Sequence, residues 1–95
     1  MLSKIPIKED LSSMKKEVVD SEILRIGLIA ELDAVSLYEQ LAAMTTNEKI
    51  RKVLLDIAKE EKTHIGEFQS LLLEIDKEQE EELEKGKKEV EGLVQ

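Results

Sequence analysis

The chain has no cysteine and no tryptophan, and only one each of proline, histidine, tyrosine and phenylalanine. Without cysteine, disulfides, thiolate metal sites and a cysteine nucleophile are excluded, and the absence fits a reducing cytosol. Long apolar runs are also missing. The longest, around Ile26 to Ala30, falls far short of the roughly 20 residues needed to span a bilayer. Met1 to Pro6 lack the apolar core of a signal peptide, so a soluble, cytoplasmic protein with no membrane partner is expected. Basic residues are outnumbered, with 14 Lys and Arg against 22 Asp and Glu and a formal net charge of −8. Phosphate backbones need basic patches, so nucleic acid is not an expected partner. An acidic surface instead draws cations.

What is present is helix-forming. Pro6 fits an extended lead-in, since it fixes its own φ and restricts the residue before it. From about Lys8 to Met44 only Gly27 interrupts a helical pattern, which predicts one long helix or a broken pair. Thr45-Thr46-Asn47-Glu48 is the clear break: Thr45 and Glu48 have capping-box spacing, and Asn47 is an alternative N-cap. A second helix is predicted to run to about Ile75. A third, over Lys77 to Val90 with Gly86 inside it, carries the acidic stretch 76–91, where eight acids face four lysines. A solvated helix with intrahelical ion pairs is the plain reading of that stretch, and a docking segment is the sharper one. The fold class is therefore all-α: a long antiparallel hairpin plus a short C-terminal helix, forming a single domain over residues 1–95 with 76–95 as its acidic arm.

At 95 residues such a domain hides only about two-thirds of its unfolded surface. Helix one is apolar nearly all round, with Leu24, Leu28, Val35 and Leu41 on one side and Ile26, Ile29 and Leu37 on the other. One hairpin partner cannot cover both sides, so self-association is expected.

Polar residues interrupt the apolar stripes at their centres. Helix two carries Glu61 and His64, three residues apart on one face, and helix one carries Glu31. Burying a carboxylate without a partner is costly, so these positions require an explanation. About 15 residues separate Glu31 from the turn, and about 15 separate the turn from Glu61. At 1.5 Å per residue both stand roughly 22 Å from the hairpin tip, at one level. Each feature alone has a plainer explanation. His64 could be an ordinary satisfied histidine, Glu31 could pair with a lysine, and Gly27 could mark close helix approach or merely weaken the helix. Tyr38, two turns beyond Glu31, is most simply a core residue with a partner for its hydroxyl. Glu60 and Glu67 read as solvated, with Glu67 a reserve ligand.

Taken together, Glu on one helix and Glu-x-x-His on another are half of the ligand set of ferritin-like di-iron bundles, which use two of each. One chain cannot complete the six ligands, but a two-fold homodimer can, and it would form the four-helix bundle. The segment Ala30-Glu31-Leu32-Asp33-Ala34-Val35-Ser36-Leu37-Tyr38-Glu39-Gln40, followed by Glu60-Glu61-Lys62-Thr63-His64, resembles the encapsulated ferritins over about Ile23 to Leu72. That resemblance implies Glu31, Glu61 and His64 as iron ligands and Tyr38 as the site-adjacent tyrosine. It further implies a ferroxidase centre between two subunits, a decameric ring, and an encapsulin shell as partner and compartment. Some positions depart from the family pattern. Ala30 is not acidic although Asp33 is, which removes half of an accessory outer iron site. Leu37 stands where some members have an aromatic residue, and Glu91-Gly92-Leu93-Val94-Gln95 shows no convincing shell-docking peptide. The expected function is oxidation of Fe(II) to Fe(III) for iron storage in an encapsulin nanocompartment, with Glu61 as the bridging carboxylate. A rubrerythrin-like di-iron peroxidase and a non-catalytic helical adaptor are the alternatives.

Overall fold

The structure, a computed structural model, describes residues 15–95. Three α-helices follow one another: α1 (Lys16–Met44), α2 (Glu48–Ile75) and α3 (Lys77–Leu93). No strand occurs among the described residues, in line with the all-α expectation. The predicted lead-in at Pro6 and the part of helix one from Lys8 to Met14 lie outside the described residues.

Over the described residues helix one is a single helix that passes through Gly27 without interruption. The α1–α2 turn is closed by Asn47, whose Oδ1 accepts from Lys49 N at 2.9 Å and Ile50 N at 3.1 Å. The Thr45–Glu48 capping box does not form. Thr45 Oγ1 instead accepts from Asn47 N at 3.1 Å, and Asn47 alone satisfies two of the N–H groups that the start of α2 leaves free. Arg51 seals the other side of the turn. Its Nε donates to the Ala42 carbonyl at 3.1 Å, another guanidinium nitrogen donates to the Thr45 carbonyl, and the third pairs with Glu48. The Ala42 carbonyl in the last turn of α1 and the carbonyl of its C-cap Thr45 are thus satisfied by a side chain from α2.

One residue, Asp76, separates α2 from α3. Its N–H donates to the Leu72 carbonyl at 2.9 Å, ending α2, while its Oδ1 accepts from Gln79 N at 3.0 Å, starting α3. Its Oδ2 accepts from Arg25 on α1, and Arg25 also pairs with Glu22. α3 runs unbroken through Gly86 to Leu93, a few residues beyond the predicted end. One glycine costs a helix about 1 kcal/mol, which the surrounding Glu and Lys helix formers offset.

The apolar core is thin. Among the described residues only Ala42, Ala58 and Leu72 are buried hydrophobic residues, and Ser21 is buried as well. Large apolar side chains stay outside, including Ile23 at 54%, Leu37 at 52%, Val53 at 59% and Leu71 at 51% exposure. The Cα radius of gyration is 17.0 Å, against about 12 Å for a compact domain of this length. Two alanines and one leucine cannot offset the conformational entropy of ordering about 80 residues. Several of the exposed residues share one face of the hairpin. At about 100° per residue, Ile23, Leu37 and Leu41 lie to one side of Glu31 on α1, and Val53, His64 and Leu71 lie on the matching side of Glu61 on α2. In antiparallel helices the same sense of rotation falls on the same face of the pair. α3 sits over the opposite face, where Leu83 joins Arg25, Leu28, Ile29 and Leu72 around a crevice of about 300 Å³.

Candidate metal centre

Glu31 lies near the middle of α1, and Glu61 and His64 lie one turn apart near the middle of α2. The antiparallel register brings them together at the level that the spacing from the turn predicts. His64 Nδ1 is 3.6 Å from Glu31 Oε1 and 3.7 Å from Glu61 Oε2, and donor atoms of all three lie within 4.8 Å of one another. These separations are too long for hydrogen bonds. The groups converge without bonding each other.

Burial sharpens the point. The Glu31 and Glu61 side chains are 18% and 20% exposed, and the His64 imidazole is 44% exposed on the uncovered face. Glu31 Oε2 is buried and has no hydrogen-bond partner. An orphaned carboxylate oxygen is a costly thing to bury, and among the described residues neither Glu31 nor Glu61 has a lysine or arginine as its ion-pair partner. Bonds of about 2.0–2.2 Å to one first-row cation would set its donors roughly 3–4 Å apart, close to the observed spacing. Two carboxylates and one imidazole suit iron or manganese better than copper. The donor set, the spacing and the unpartnered oxygen fit a cation. Three donors from one chain also leave a six-coordinate ion half supplied.

The remaining predicted residues stand around this cluster. Tyr38 is two turns along α1 toward the hairpin tip, half-buried, and its hydroxyl makes no hydrogen bond to another described residue, so the expected partner is not found there. Glu60 and Glu67 are exposed and outside the cluster. Asp33 is partly buried on α1, and Ala30 supplies no carboxylate beside it. One pairing was not foreseen: Lys62 Nζ reaches Glu39 Oε2 at 3.0 Å, tying α2 to α1 beside the cluster.

A sequence model of the rubrerythrin family matches residues 22–93. A solved structure, the crystal structure of the encapsulated ferritin domain from Pyrococcus furiosus, superposes with a TM-score of 0.82 at 46% identity, covering 98% of this chain and 93% of that one. The chain belongs to the rubrerythrin family, in its encapsulated-ferritin branch. Two further relatives agree. A ferritin-like–encapsulin shell fusion protein of Pyrococcus furiosus is 52% identical over 88 residues, which are 93% of this chain and 25% of the relative. The encapsulin nanocompartment cargo protein EncC of Myxococcus xanthus is 32% identical over 71 residues, 72% of this chain and 55% of the relative. The chain therefore spans a quarter of one relative and about half of the other. Rubrerythrin-family and ferritin-like proteins typically bind iron, and many are di-iron oxidoreductases.

Proposed function

We propose that two copies of this encapsulated ferritin pair through the face bearing Glu31, Glu61 and His64, and that the paired half-sites oxidise Fe(II) to Fe(III). One observation carries this reading: a carboxylate cluster with an unpartnered buried oxygen opens at the centre of an exposed apolar face. Residues such as Leu37 and Val53 on that face need covering, and the half-filled ligand set needs a second half. A two-fold copy supplies both at once. The product is a four-helix bundle with two Glu and two Glu-x-x-His sets.

Each residue has a role in this scheme. Glu61, on the stripe facing α1, would hold iron as a carboxylate available to both halves of the paired site. His64 would present Nδ1 as a terminal donor. Glu31 supplies a further carboxylate whose burial keeps water away. Tyr38 stands beside the site as a neighbour of the bound pair. When bound, each iron supplies one electron toward reduction of dioxygen. Carboxylates can pass between shared and terminal binding as the iron charge rises, and the acidic surface draws Fe(II) toward the site.

The chain functions as a single helical domain whose acidic arm, 76–95, carries no part of the cluster. A hairpin dimer encloses no cavity, and a ring of such dimers, a decamer in the family pattern, stays open at both faces. Storage therefore requires a container, and the names of its relatives point to an encapsulin compartment as that partner, which we place in the cytoplasm. The test is size and ferric absorbance on adding Fe(II) in air. Wild type should gain mass and turn over Fe(II), whereas unchanged monomers with no ferric product would defeat the proposal. The rubrerythrin-family match favours one second reading, a di-iron peroxidase. Turnover with hydrogen peroxide clearly exceeding turnover with dioxygen would select it.

A further inference from the structure

Gly27 and Phe68 meet next to the cluster. Gly27 precedes Glu31 by one helical turn on α1, and Phe68 follows His64 by one turn on α2. In an antiparallel pair both steps lead toward the open end of the hairpin. A Cβ placed on Gly27 would stand 3.2 Å from Phe68 Cε1 and 3.3 Å from Cδ1 and Cζ. Three consecutive ring atoms at nearly equal distance mean that the ring lies alongside the α1 backbone, in the space a side chain would occupy. Gly66, Gly86 and Gly92 have nothing within 4 Å of such a Cβ, so only at Gly27 does a neighbour demand the missing side chain. Glycine is also a poor residue for the middle of a 29-residue helix, and the ring gives a reason for its presence.

We propose that Phe68, seated on Gly27, is a positioning residue that sets the spacing of α1 from α2 at the cluster and thereby tunes the site to the size of its cation. This inference rests on reading Glu31, Glu61 and His64 as a metal site. Glu61 and His64 share a helix and keep their mutual geometry whatever the helix spacing. Glu31 alone arrives from α1, so a change in spacing is felt wholly as a change in its distance from the other two. A rigid ring against bare backbone transmits spacing better than a flexible aliphatic chain. An added methyl at Gly27 forces the ring or the helix to yield by a few tenths of an ångström. That is larger than the difference in bond length between one first-row divalent cation and the next, so the site would feel it.

The experiment uses the full chain, stripped of metal and titrated with Co(II) or Mn(II), with the visible spectrum of bound Co(II) and the thermal midpoint of the metal-free protein recorded. Wild type should bind Co(II) more tightly than Mn(II). If it binds neither, the metal reading fails and this inference falls with it. Gly27→Ala should lose about ten-fold in Co(II) affinity, in the range usual for residues that orient ligands, with an altered Co(II) spectrum and a smaller Co(II)-over-Mn(II) preference. The double variant Gly27→Ala with Phe68→Leu, which makes room for the methyl, should recover part of that affinity. A structural role alone would shift the thermal midpoint and leave spectrum and preference unchanged. Wild-type affinity, spectrum and preference in folded Gly27→Ala would overturn the positioning role. Should Gly27→Ala not fold, Phe68→Leu alone must show the same loss of preference, and failure to do so overturns the proposal equally.

Discussion

Acids take part in side-chain groupings at three levels of the hairpin, and two of these differ from the third. At the open end, Asp76 and Glu22 meet Arg25, and at the tip Glu48 meets Arg51. These are the only arginines in the chain. Each also ties elements together, Arg25 by holding the α2–α3 junction and Arg51 by capping α1. At the middle level, among the described residues, Glu31 and Glu61 meet only His64, and one oxygen is left buried without a partner. Acids that serve the fold are accompanied by a guanidinium. Of the acids at these three levels, the two without one, Glu31 and Glu61, are those whose donors converge on a common point. Stability and chemistry are thus divided along the length of one hairpin.

The largest test of that division replaces the middle acids. Glu61→Ala removes a carboxylate from both halves of a symmetric site, so aerobic Fe(II) oxidation, followed by ferric absorbance, should fall to near background. The metal-free fold should not suffer. Removing one of two neighbouring carboxylates relieves like-charge repulsion, so the thermal midpoint should hold or rise. Full oxidation by Glu61→Ala would refute the assignment. A midpoint that falls as far as in an end-cluster variant would erase the distinction between middle and ends.

The next effect is on assembly. Leu37→Glu places a charge on the exposed apolar face six residues from Glu31 without touching the cluster. It should leave the chain monomeric when Fe(II) is added, by light scattering, and should slow oxidation strongly. Dimers and oxidation at the wild-type level would show that another face pairs.

End-cluster variants should do the reverse of Glu61→Ala. Asp76→Ala removes the cap of α3 and the partner of Arg25. A lost cap costs about 1 kcal/mol and a partly exposed ion pair less, which together lower the midpoint by several degrees in a domain of this size. Oxidation per folded chain should remain within about two-fold of wild type, since Asp76 is 15 residues from Glu61, roughly 20 Å along the helix. An oxidation defect matching that of Glu61→Ala would mean that the ends reach the chemistry.

How much of this was visible in the sequence depends on whether the deciding forces are local. The hairpin was legible because Asn47 and its neighbours break an otherwise continuous helical pattern. The meeting of Glu31 with Glu61 and His64 followed from equal distances to that break. The choice between Asn47 and the Thr45–Glu48 box was not legible, because both satisfy the spacing and only the actual backbone selects one. Gly27 was ambiguous for a similar reason. A glycine that weakens a helix and one that admits an aromatic ring look alike until Phe68 is placed against it. The links of Arg25 to Asp76 and of Lys62 to Glu39 join residues far apart in sequence, and no periodicity announces them.

The smallest effect expected is at Glu67, and it bounds the cluster. Glu67 is a carboxylate one turn beyond His64, on the uncovered side of α2, and is the nearest acid that could be mistaken for a ligand. It is exposed, and its oxygens do not join those of Glu31, Glu61 and His64. Nothing holds it against the site, so bringing it in would mean ordering a flexible side chain that water already solvates, at an entropic cost. Glu67→Ala should therefore change Fe(II) oxidation by less than about two-fold and leave the thermal midpoint within a degree or two, as surface substitutions usually do. Its position on the pairing face gives the measurement an edge. Loss of oxidation with dimers intact would add Glu67 to the ligand set from across the interface. Loss of dimers would make it an interface contact. Near-wild-type values in both would confine the chemistry of the middle level to Glu31, Glu61 and His64.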